Sequence, residues 1–194
     1  PDSQYILSAY KKWGLETPKY LLGDFVFAVW DIPKKILFCA RDQLGIKPFY
    51  YHLSPDYFIF SDDIKGVIAH PQVSKSLDDD AIANYYVHGI LNNPEKTLFH
   101  NVSKLPPGHS FVISRDKAEL QKYWDPTKSP TIKLSSFDEY SQNLCQLIRQ
   151  SVEDRLRTAY PVASHLSGGL DSSGIAIIAA RSLREKGEQL LAYN

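Results

Sequence analysis

Seven residues near the carboxyl end of the chain, Ser167-Gly168-Gly169-Leu170-Asp171-Ser172-Ser173, constrain its fold more than any other stretch. They follow an apolar run at 161–166 and precede a run rich in Ala and Ile at 174–180. This order predicts a strand, a glycine turn and a helix. Two glycines allow the backbone to turn tightly and to approach a ligand closely. The free N–H groups and the dipole of the following helix then favour an anion such as phosphate.

These residues differ from the better-known phosphate loop, because no Gly-Lys-Ser/Thr follows the glycines. The hydroxyl groups of Ser167, Ser172 and Ser173 are instead available to donate hydrogen bonds to phosphate oxygens. Asp171 is unfavourable beside a phosphate unless it holds a cation, and Mg²⁺ shared with a nucleotide accounts for it. The simpler alternative is a serine-capped helix in which the helix dipole alone favours Asp171. The complete heptapeptide in its strand–turn–helix setting favours nucleotide binding.

The heptapeptide resembles the pyrophosphate loop of the N-type ATP pyrophosphatases, which cleave ATP between the α and β phosphates. Such enzymes activate a carboxylate or carbonyl group as an adenylate and release pyrophosphate. The resemblance implies ATP and Mg²⁺ as cofactors. It also implies that Leu166 contacts adenine through its backbone, that residues 167–173 hold the pyrophosphate, and that Asp171 is a metal ligand. Several families share this loop, so it indicates the chemistry and leaves the substrate open.

Composition excludes several classes of protein. The 194 residues carry 22 basic and 22 acidic side chains, and a formal net charge of zero argues against nucleic acid or an acidic membrane as the main partner. An apolar fraction of 43% is ample for a core. No apolar run is long enough to span a membrane, and no signal peptide opens the chain. Because the chain contains no Met, we expect it to be a segment of a longer protein.

Cys39 and Cys145 are the only cysteines. Cys39 lies in an apolar strand pattern and Cys145 in an amphipathic helix pattern, so both are predicted to be buried free thiols. Two cysteines cannot form a zinc site by themselves, and the six histidines show no metal-ligand spacing. These features predict a cytoplasmic protein.

The first 124 residues predict helices that alternate with paired antiparallel strands, an α+β layered domain. Helices are expected at 4–13, 64–69 and 79–88, with hairpins formed by 25–30 with 36–40 and by 49–52 with 57–60, and further strands at 110–113 and 119–123. The strand at 25–30 is apolar on both alternating faces and is therefore predicted to be covered on both sides.

A polar segment with two prolines at 125–130 predicts an interdomain linker, which we extend to 135. Beyond it, Ser136 and Glu139 have capping-box spacing, and apolar residues at intervals of three or four predict a long amphipathic helix ending near Thr158. The strand that precedes the heptapeptide, the heptapeptide itself and a helix that ends at Gly187 follow. A second strand begins at Leu190, and a strand–helix–strand order implies a parallel sheet with a right-handed crossover.

Four segments of the first domain resemble motifs of class II glutamine amidotransferase domains. They are Leu22–Asp31, Ala40–Tyr51, Lys104–His109 and Tyr123–Asp125. Joined to a pyrophosphate loop, this order is similar to that of the glutamine-hydrolysing asparagine synthetase family. The resemblance implies an αββα, N-terminal-nucleophile glutaminase domain at 1–124, a linker at 125–135 and the start of an α/β parallel-sheet ATP-pyrophosphatase domain at 136–194. It implies glutamine, aspartate and ATP as substrates, and it is consistent with a homodimer.

In that family an N-terminal cysteine attacks the glutamine amide and releases ammonia. The chain begins at Pro1, so this nucleophile is absent and Cys39 matches no nucleophile position; these 194 residues alone are expected to be inactive. Asp2 aligns with the aspartate that pairs with the α-ammonium of glutamine. The alternative is that Asp2 only caps the first helix.

Two departures from the family pattern leave the acceptor carboxylate open. Ser164-His165 precedes the loop where aspartate-specific members carry small or apolar residues, and Asp62-Asp63 replaces a common Ser-Glu. Such differences also occur in relatives that close lactams or cyclise peptides after the same adenylation. Three hypotheses follow: an asparagine synthetase, an enzyme that adenylates a different carboxylate, and a non-catalytic nucleotide-binding relative. The intact heptapeptide argues against the third.

Overall fold

The computed structural model describes residues 2–193. The chain divides into two compact units, and the boundary along the sequence lies between Ser129 and Pro130. The first unit contains α1 (Asp2–Trp13), a 3₁₀ helix (Gly14–Tyr20), β1 (Val26–Asp31), β2 (Ile36–Arg41), β3 (Tyr50–Leu53), β4 (Phe58–Ser61), α2 (Ile64–Ile68), α3 (Asp79–His88), β5 (Ser103–Lys104), β6 (His109–Ile113), β7 (Ala118–Lys122) and a short 3₁₀ helix (Pro126–Lys128). The second contains α4 (Phe137–Arg155), β8 (Val162–His165), α5 (Leu170–Glu185) and β9 (Leu190–Tyr193).

Two antiparallel sheets form the centre of the first unit. One has four strands in the order β1-β2-β6-β7, and the other has three in the order β4-β3-β5. Both predicted hairpins are confirmed, because β1 pairs with β2 and β3 pairs with β4, each antiparallel. In the first unit, the predicted bounds of these helices and strands agree with the structure to within about two residues.

One face of the four-stranded sheet packs against α1. Phe38 and Ala40 of β2 are fully buried on this face, in a cluster with Tyr10 of α1 and with Phe27 and Val29 of β1. The rings of Tyr10 and Phe38 lie 5.7 Å apart. Because side chains alternate along a strand, the intervening residues of β2 are directed to the opposite face.

That opposite face packs against the three-stranded sheet. The ring of Phe111 on β6 lies 5.2 Å from Tyr51 of β3 and 5.7 Å from Phe58 of β4. The neighbouring residue Ile59 is directed away from this interface and packs with Val67 of α2. The layers therefore run helix, sheet, sheet, helix, which is the order predicted for this part of the chain.

The prediction that the first strand is covered on both faces is wrong for Ala28 and Trp30. Phe27 and Val29 are buried, whereas Ala28 and Trp30 on the other face are exposed, Trp30 to 58%. β1 is an edge strand of the four-stranded sheet. The second sheet is one strand narrower, and the cluster between the sheets includes only Val26 from β1. The rest of that face is therefore left uncovered.

Arg41, at the end of β2, is a buried residue that binds backbone carbonyl groups. Its guanidinium donates from Nε to the Lys47 carbonyl at 2.6 Å, from Nη2 to Gly45 at 2.6 Å and from Nη1 to Leu105 at 2.7 Å. Burial lowers the pKa of Arg41, and the charge of neighbouring Asp42 opposes this shift. The three carbonyl groups replace the water that the guanidinium loses on burial.

Asp42 accepts hydrogen bonds from backbone N–H groups of residues 43–47, the loop that follows it. Its Oδ1 accepts from Leu44 at 3.1 Å and from Ile46 at 2.9 Å, while Oδ2 accepts from Lys47 at 3.0 Å. Asp42 is only 1% exposed. Arg41 is 9% exposed. Both are buried in the first unit, and together they fix the course of residues 43–47.

Asp78 is a buried carboxylate that begins α3. Its Oδ1 accepts from the Ala81 N–H at 3.0 Å, and its Oδ2 accepts from Lys96 Nζ at 2.6 Å. His100 Nδ1 lies 3.7 Å from the same oxygen. The Lys96 ammonium first, and then the Ala81 N–H, hold the pKa of Asp78 below its ordinary value. The carboxylate therefore favours the folded state in its ionised form.

We expect Asp78→Asn to lower the free energy of unfolding mostly at neutral pH. Because the pKa of Asp78 is lowered by folding, the ionised carboxylate stabilises the fold fully at pH values above its unfolded-state pKa, about 3.9. This stabilisation is lost as the pH falls through the lower pKa of the folded state. Urea unfolding at pH 7 and pH 3 should show a wild-type advantage that shrinks at the lower pH. Asp56→Asn, at an exposed turn, is the control. An equal difference at both pH values would contradict this assignment.

The second unit is a strand–helix–strand arrangement preceded by α4. β8 and β9 pair in parallel with Val162 opposite Leu190, which confirms the predicted parallel pairing. Ala179 and Leu183 of α5 form a buried cluster with Leu156, and both strands contribute to it. α5 therefore covers this two-stranded sheet.

The long helix differs from its prediction at both ends. Ser136 Oγ accepts from the Glu139 N–H at 3.2 Å as expected, but the Glu139 carboxylate accepts from the Ser135 N–H, at 2.8 Å, one residue earlier than in a capping box. α4 ends at Arg155 rather than near Thr158, because the Leu156 N–H bonds to the Glu153 carbonyl in a tighter turn.

The two cysteines have different surroundings. Cys39 is fully buried, and burial raises its pKa to about 12. The prediction that Cys145 is buried is wrong, since this thiol is exposed. Within the described residues, α4 packs on its own unit mainly through its last turns, and its apolar side chains nearer Cys145 are exposed: Phe137, Tyr140, Leu144 and Ile148.

Thiol titration should therefore count one reactive cysteine in the folded 194-residue chain and two in denaturant, because only an exposed thiol with accessible thiolate reacts readily. Cys145→Ser should remove the native reaction, while Cys39→Ser should leave it unchanged. A native reaction that survives Cys145→Ser would show that Cys39 becomes accessible by local opening.

Among residues 2–193, no helix combines the length and the apolar character that crossing a membrane requires.

Candidate functional site

The glycine turn lies between β8 and α5, as the sequence predicts. β8 ends at His165 and α5 begins at Leu170. Gly168 has a φ of +76°, a backbone conformation that other residues rarely adopt. Gly169 is the N-cap residue and has no side chain with which to bond the first turn of α5. The N–H groups of that turn therefore remain available for an anion.

This geometry contradicts the simpler alternative of a serine-capped helix. No side-chain cap bonds the first turn of α5, and the cap position is a glycine. The serine hydroxyls bond one another and the turn instead. Ser167 Oγ lies 2.9 Å from Ser172 Oγ and accepts from the Gly169 N–H at 3.3 Å, while Ser172 Oγ donates to the Gly169 carbonyl at 3.3 Å. The predicted phosphate-binding hydroxyls of Ser167 and Ser172 are thus adjacent.

Leu166 is held by the parallel sheet. Its N–H donates to the Tyr193 carbonyl at 2.8 Å, which extends the pairing of β8 with β9 by one residue. The backbone N–H of Leu166 is thus used by the sheet, and the predicted backbone contact of Leu166 with adenine stays a prediction. The sequence did not reveal the role of Tyr193, because the bond uses only its backbone.

Asp171 occupies the first turn of α5 and is exposed, and Leu170 beside it is 93% exposed. Ser173 is half-buried, and its N–H bonds to the Gly169 carbonyl at 3.2 Å. No group of three or more metal-ligating side chains occurs in residues 2–193, and Asp171 is the only acidic residue of the heptapeptide 167–173. One carboxylate suits Mg²⁺, which usually keeps several waters and binds nucleotide phosphates in addition to one or two protein oxygens.

Asp2 belongs to the first unit and lies in the first turn of α1, where it is exposed. The predicted glutamine contact and the predicted nucleotide loop therefore lie on different units of the chain. An exposed carboxylate at this position is free to bind an ammonium group.

Comparisons with known proteins agree with the motifs. A family model for a glutamine amidotransferase domain matches residues 1–124, and a model for asparagine synthase matches residues 143–193, a range that contains the whole glycine turn. The first match covers well over half of the chain. The chain belongs to the glutamine-hydrolysing asparagine synthetase family.

Individual members of the asparagine synthetase family are similar over nearly the whole chain. Asparagine synthetase 3 of Bacillus subtilis is 33% identical, covering 96% of this chain and 30% of that protein. Asparagine synthetase 1 of the same organism is 31% identical, covering 92% and 28%. Amidase chyE of Penicillium rubens is 32% identical, covering 95% and 27%. The chain thus spans about a third or less of the length of these relatives.

Proposed function

We propose that the protein to which this chain belongs is a glutamine-dependent asparagine synthetase. ATP-dependent adenylation of the aspartate side chain would form an acyl–oxygen–phosphorus bond, break the bond between the α phosphorus and the bridging oxygen, and release pyrophosphate. Ammonia from glutamine would then attack the acyl carbon and displace AMP. The observation that carries this proposal is the glycine turn at the amino end of α5, next to a parallel strand pair.

Within this chain, residues 166–173 bind ATP in the proposal. The N–H groups of the first turn of α5 and the hydroxyls of Ser167, Ser172 and Ser173 donate to the leaving pyrophosphate, so they stabilise the charge that develops there. The Leu166 carbonyl accepts from the amino group of adenine. Asp171 holds Mg²⁺, which when bound neutralises the phosphate charge. Because Ser167 and Ser172 bond each other, both hydroxyls must exchange partners when phosphate binds.

Residues 1–124 in the proposal are part of an N-terminal-nucleophile glutaminase domain, residues 125–135 are a linker, and residues 136–194 begin the ATP-pyrophosphatase domain. Asp2 binds the α-ammonium of glutamine. The helix–sheet–sheet–helix layers support the first assignment. We further propose that the protein works in the cytoplasm on small molecules and forms a homodimer through its glutaminase domain.

The test is product analysis on the complete protein with ATP, Mg²⁺ and glutamine, with and without aspartate. Aspartate-dependent AMP and pyrophosphate, with asparagine formed in equal amount, is the expected result. ADP and phosphate as products would overturn the assignment of the loop.

A second candidate is an enzyme that adenylates another carboxylate. The similarity to a fungal amidase favours it, as do Ser164-His165 ahead of the loop and Asp62-Asp63 before α2. Asp63 is used structurally, because its Oδ1 accepts from the Lys65 N–H at 2.9 Å and caps α2. Pyrophosphate release that requires a carboxylate other than aspartate would establish this candidate and exclude the first.

A further inference from the structure

The glycine turn between β8 and α5 contains a closed ring of three hydrogen bonds. The Gly169 N–H donates to Ser167 Oγ at 3.3 Å, and Ser172 Oγ donates to the Gly169 carbonyl at 3.3 Å. The two hydroxyl oxygens lie 2.9 Å apart. A hydroxyl has only one hydrogen, and Ser172 directs its own to the carbonyl, so Ser167 donates in the bond between the hydroxyls. The ring therefore begins and ends on the peptide groups of Gly169.

The ring uses hydrogens that the proposed function assigns to phosphate. Each of the two hydroxyls has its single hydrogen inside the turn, and the Gly169 N–H is used in the same way. These donors are separate from the N–H groups of the first turn of α5, which have no side-chain cap. A phosphate oxygen can therefore accept from the hydroxyls of Ser167 and Ser172 only after the ring has opened.

The bonds of the ring support one another. Ser167 Oγ accepts from an N–H while its hydroxyl donates, and Ser172 Oγ accepts while its hydroxyl donates to a carbonyl. Hydrogen bonds linked in this way polarise each other, so we expect the ring to open as a unit. An anionic phosphate oxygen is able to open it, because hydrogen bonds to a charged acceptor are about twice as strong as those between neutral groups.

We propose that this ring competes with the pyrophosphate group of ATP and holds the turn closed until phosphate displaces it. Before a ligand binds, the ring gives the polar groups of the turn partners that do not depend on an anion. When phosphate binds, Ser167 and Ser172 release each other and the peptide groups of Gly169, and both hydroxyls donate to phosphate oxygens. The inference rests on the proposed function, which assigns the pyrophosphate to these hydroxyls.

A double-mutant cycle measures this competition. In wild type, phosphate gains two hydroxyl bonds but must break the bond between the hydroxyls. In Ser167→Ala or Ser172→Ala it gains one hydroxyl bond and has no such bond to break, and in the double variant it gains neither. The double variant should therefore lose more affinity than the product of the two single losses, by about two- to tenfold, which corresponds to one neutral hydrogen bond.

The experiment measures the dissociation constants of α,β-methylene-ATP with Mg²⁺ for the complete protein, the two single variants and the double variant. This analogue cannot be cleaved between the α and β phosphates, so binding is measured without the reaction. Each single variant is expected to bind more weakly than wild type, and the double variant is expected to lose more than their product. A combined loss equal to the product, or smaller, would overturn the proposal.

A second cycle, with Ser173, is the matched control. The Ser173 hydroxyl is also a proposed phosphate donor, but it lies outside the ring, and the Ser173 N–H bonds to the Gly169 carbonyl at 3.2 Å. The losses of Ser167→Ala and Ser173→Ala should therefore combine as a product to within about twofold. An excess loss as large as in the first cycle would show that the effect does not come from the ring.

The ring and the proposed function fail in different ways. If wild type binds the analogue and the first cycle is multiplicative, the ring proposal is overturned and the proposed nucleotide site stands. If wild type does not bind the analogue, the nucleotide site is overturned and the ring proposal falls with it.

Discussion

Asp42→Ala is expected to lower the free energy of unfolding of the first unit by roughly 2–4 kcal/mol. The carboxylate accepts from the N–H groups of Leu44, Ile46 and Lys47, and Asp42 is only 1% exposed. Alanine leaves these donors without their acceptor and leaves the Arg41 charge without its neighbour. Since whole domains are stable by only about 5–15 kcal/mol, this is a large fraction of the total.

Urea unfolding of the 194-residue chain measures this loss, and amide hydrogen exchange at Leu44, Ile46 and Lys47 shows where it arises. Asp42→Asn keeps one acceptor oxygen but places an NH₂ against a backbone donor, so about half of the loss is expected. Asp116→Ala, an exposed aspartate in the turn between β6 and β7, should stay within about 0.5 kcal/mol of wild type. Loss of stability without faster exchange in the loop would place the effect elsewhere.

The sequence predicted elements well where the signal is local. Helix α3 is an example, because acidic residues at its start and Gly89 at its end bound it, and the structure has it at the predicted residues. The signal for each of the two hairpins also lies in neighbouring residues, because turn residues separate two apolar strands. The alternation of helices with paired strands also predicted a layered α+β domain, whereas the order helix, sheet, sheet, helix was implied by the resemblance to class II glutamine amidotransferase domains.

Long-range contacts set the limits of that prediction. Arg41 donates to the Leu105 carbonyl 64 residues later in the chain, and no spacing rule anticipates such a bond. Trp30 is exposed because β1 is an edge strand, which depends on the order of strands rather than on its own residues. Cys145 illustrates the same limit, because an amphipathic pattern predicts an apolar face but not which part of that face is buried.

In the candidate nucleotide site, too, some features could be predicted from neighbouring residues and others depend on contacts between distant ones. The strand, the turn and the helix follow from residues 161–180, and the structure has all three. The pairing of the Ser167 and Ser172 hydroxyls and the bond from Leu166 to Tyr193 depend on how the turn closes and on the register of β9. The assignment of Asp171 to a metal follows from the chemistry of a carboxylate beside phosphate, and an activity measurement on the complete protein tests it.

In the complete protein, we expect Asp171→Asn to lower the rate of AMP and pyrophosphate formation by roughly 10²–10³-fold at saturating ATP. The amide keeps the size of the side chain and its place in the first turn of α5, but it loses the negative charge that would hold Mg²⁺ against the phosphates. Because the residue is exposed, the substitution should leave the stability of the fold nearly unchanged. The half-saturating Mg²⁺ concentration should rise as well, which a purely structural role would not cause.

Two matched variants make this prediction specific to the metal. Asp154→Asn changes an exposed aspartate of α4 in the same unit and should keep the wild-type rate and Mg²⁺ requirement. Ser172→Ala removes a proposed phosphate donor, so it should weaken ATP binding without raising the Mg²⁺ requirement. If Asp171→Asn retained both the rate and the Mg²⁺ dependence of wild type, the carboxylate would be explained by the dipole of α5 alone. The turn would then bind an anion without a metal, because its N–H groups and hydroxyls do not depend on that side chain.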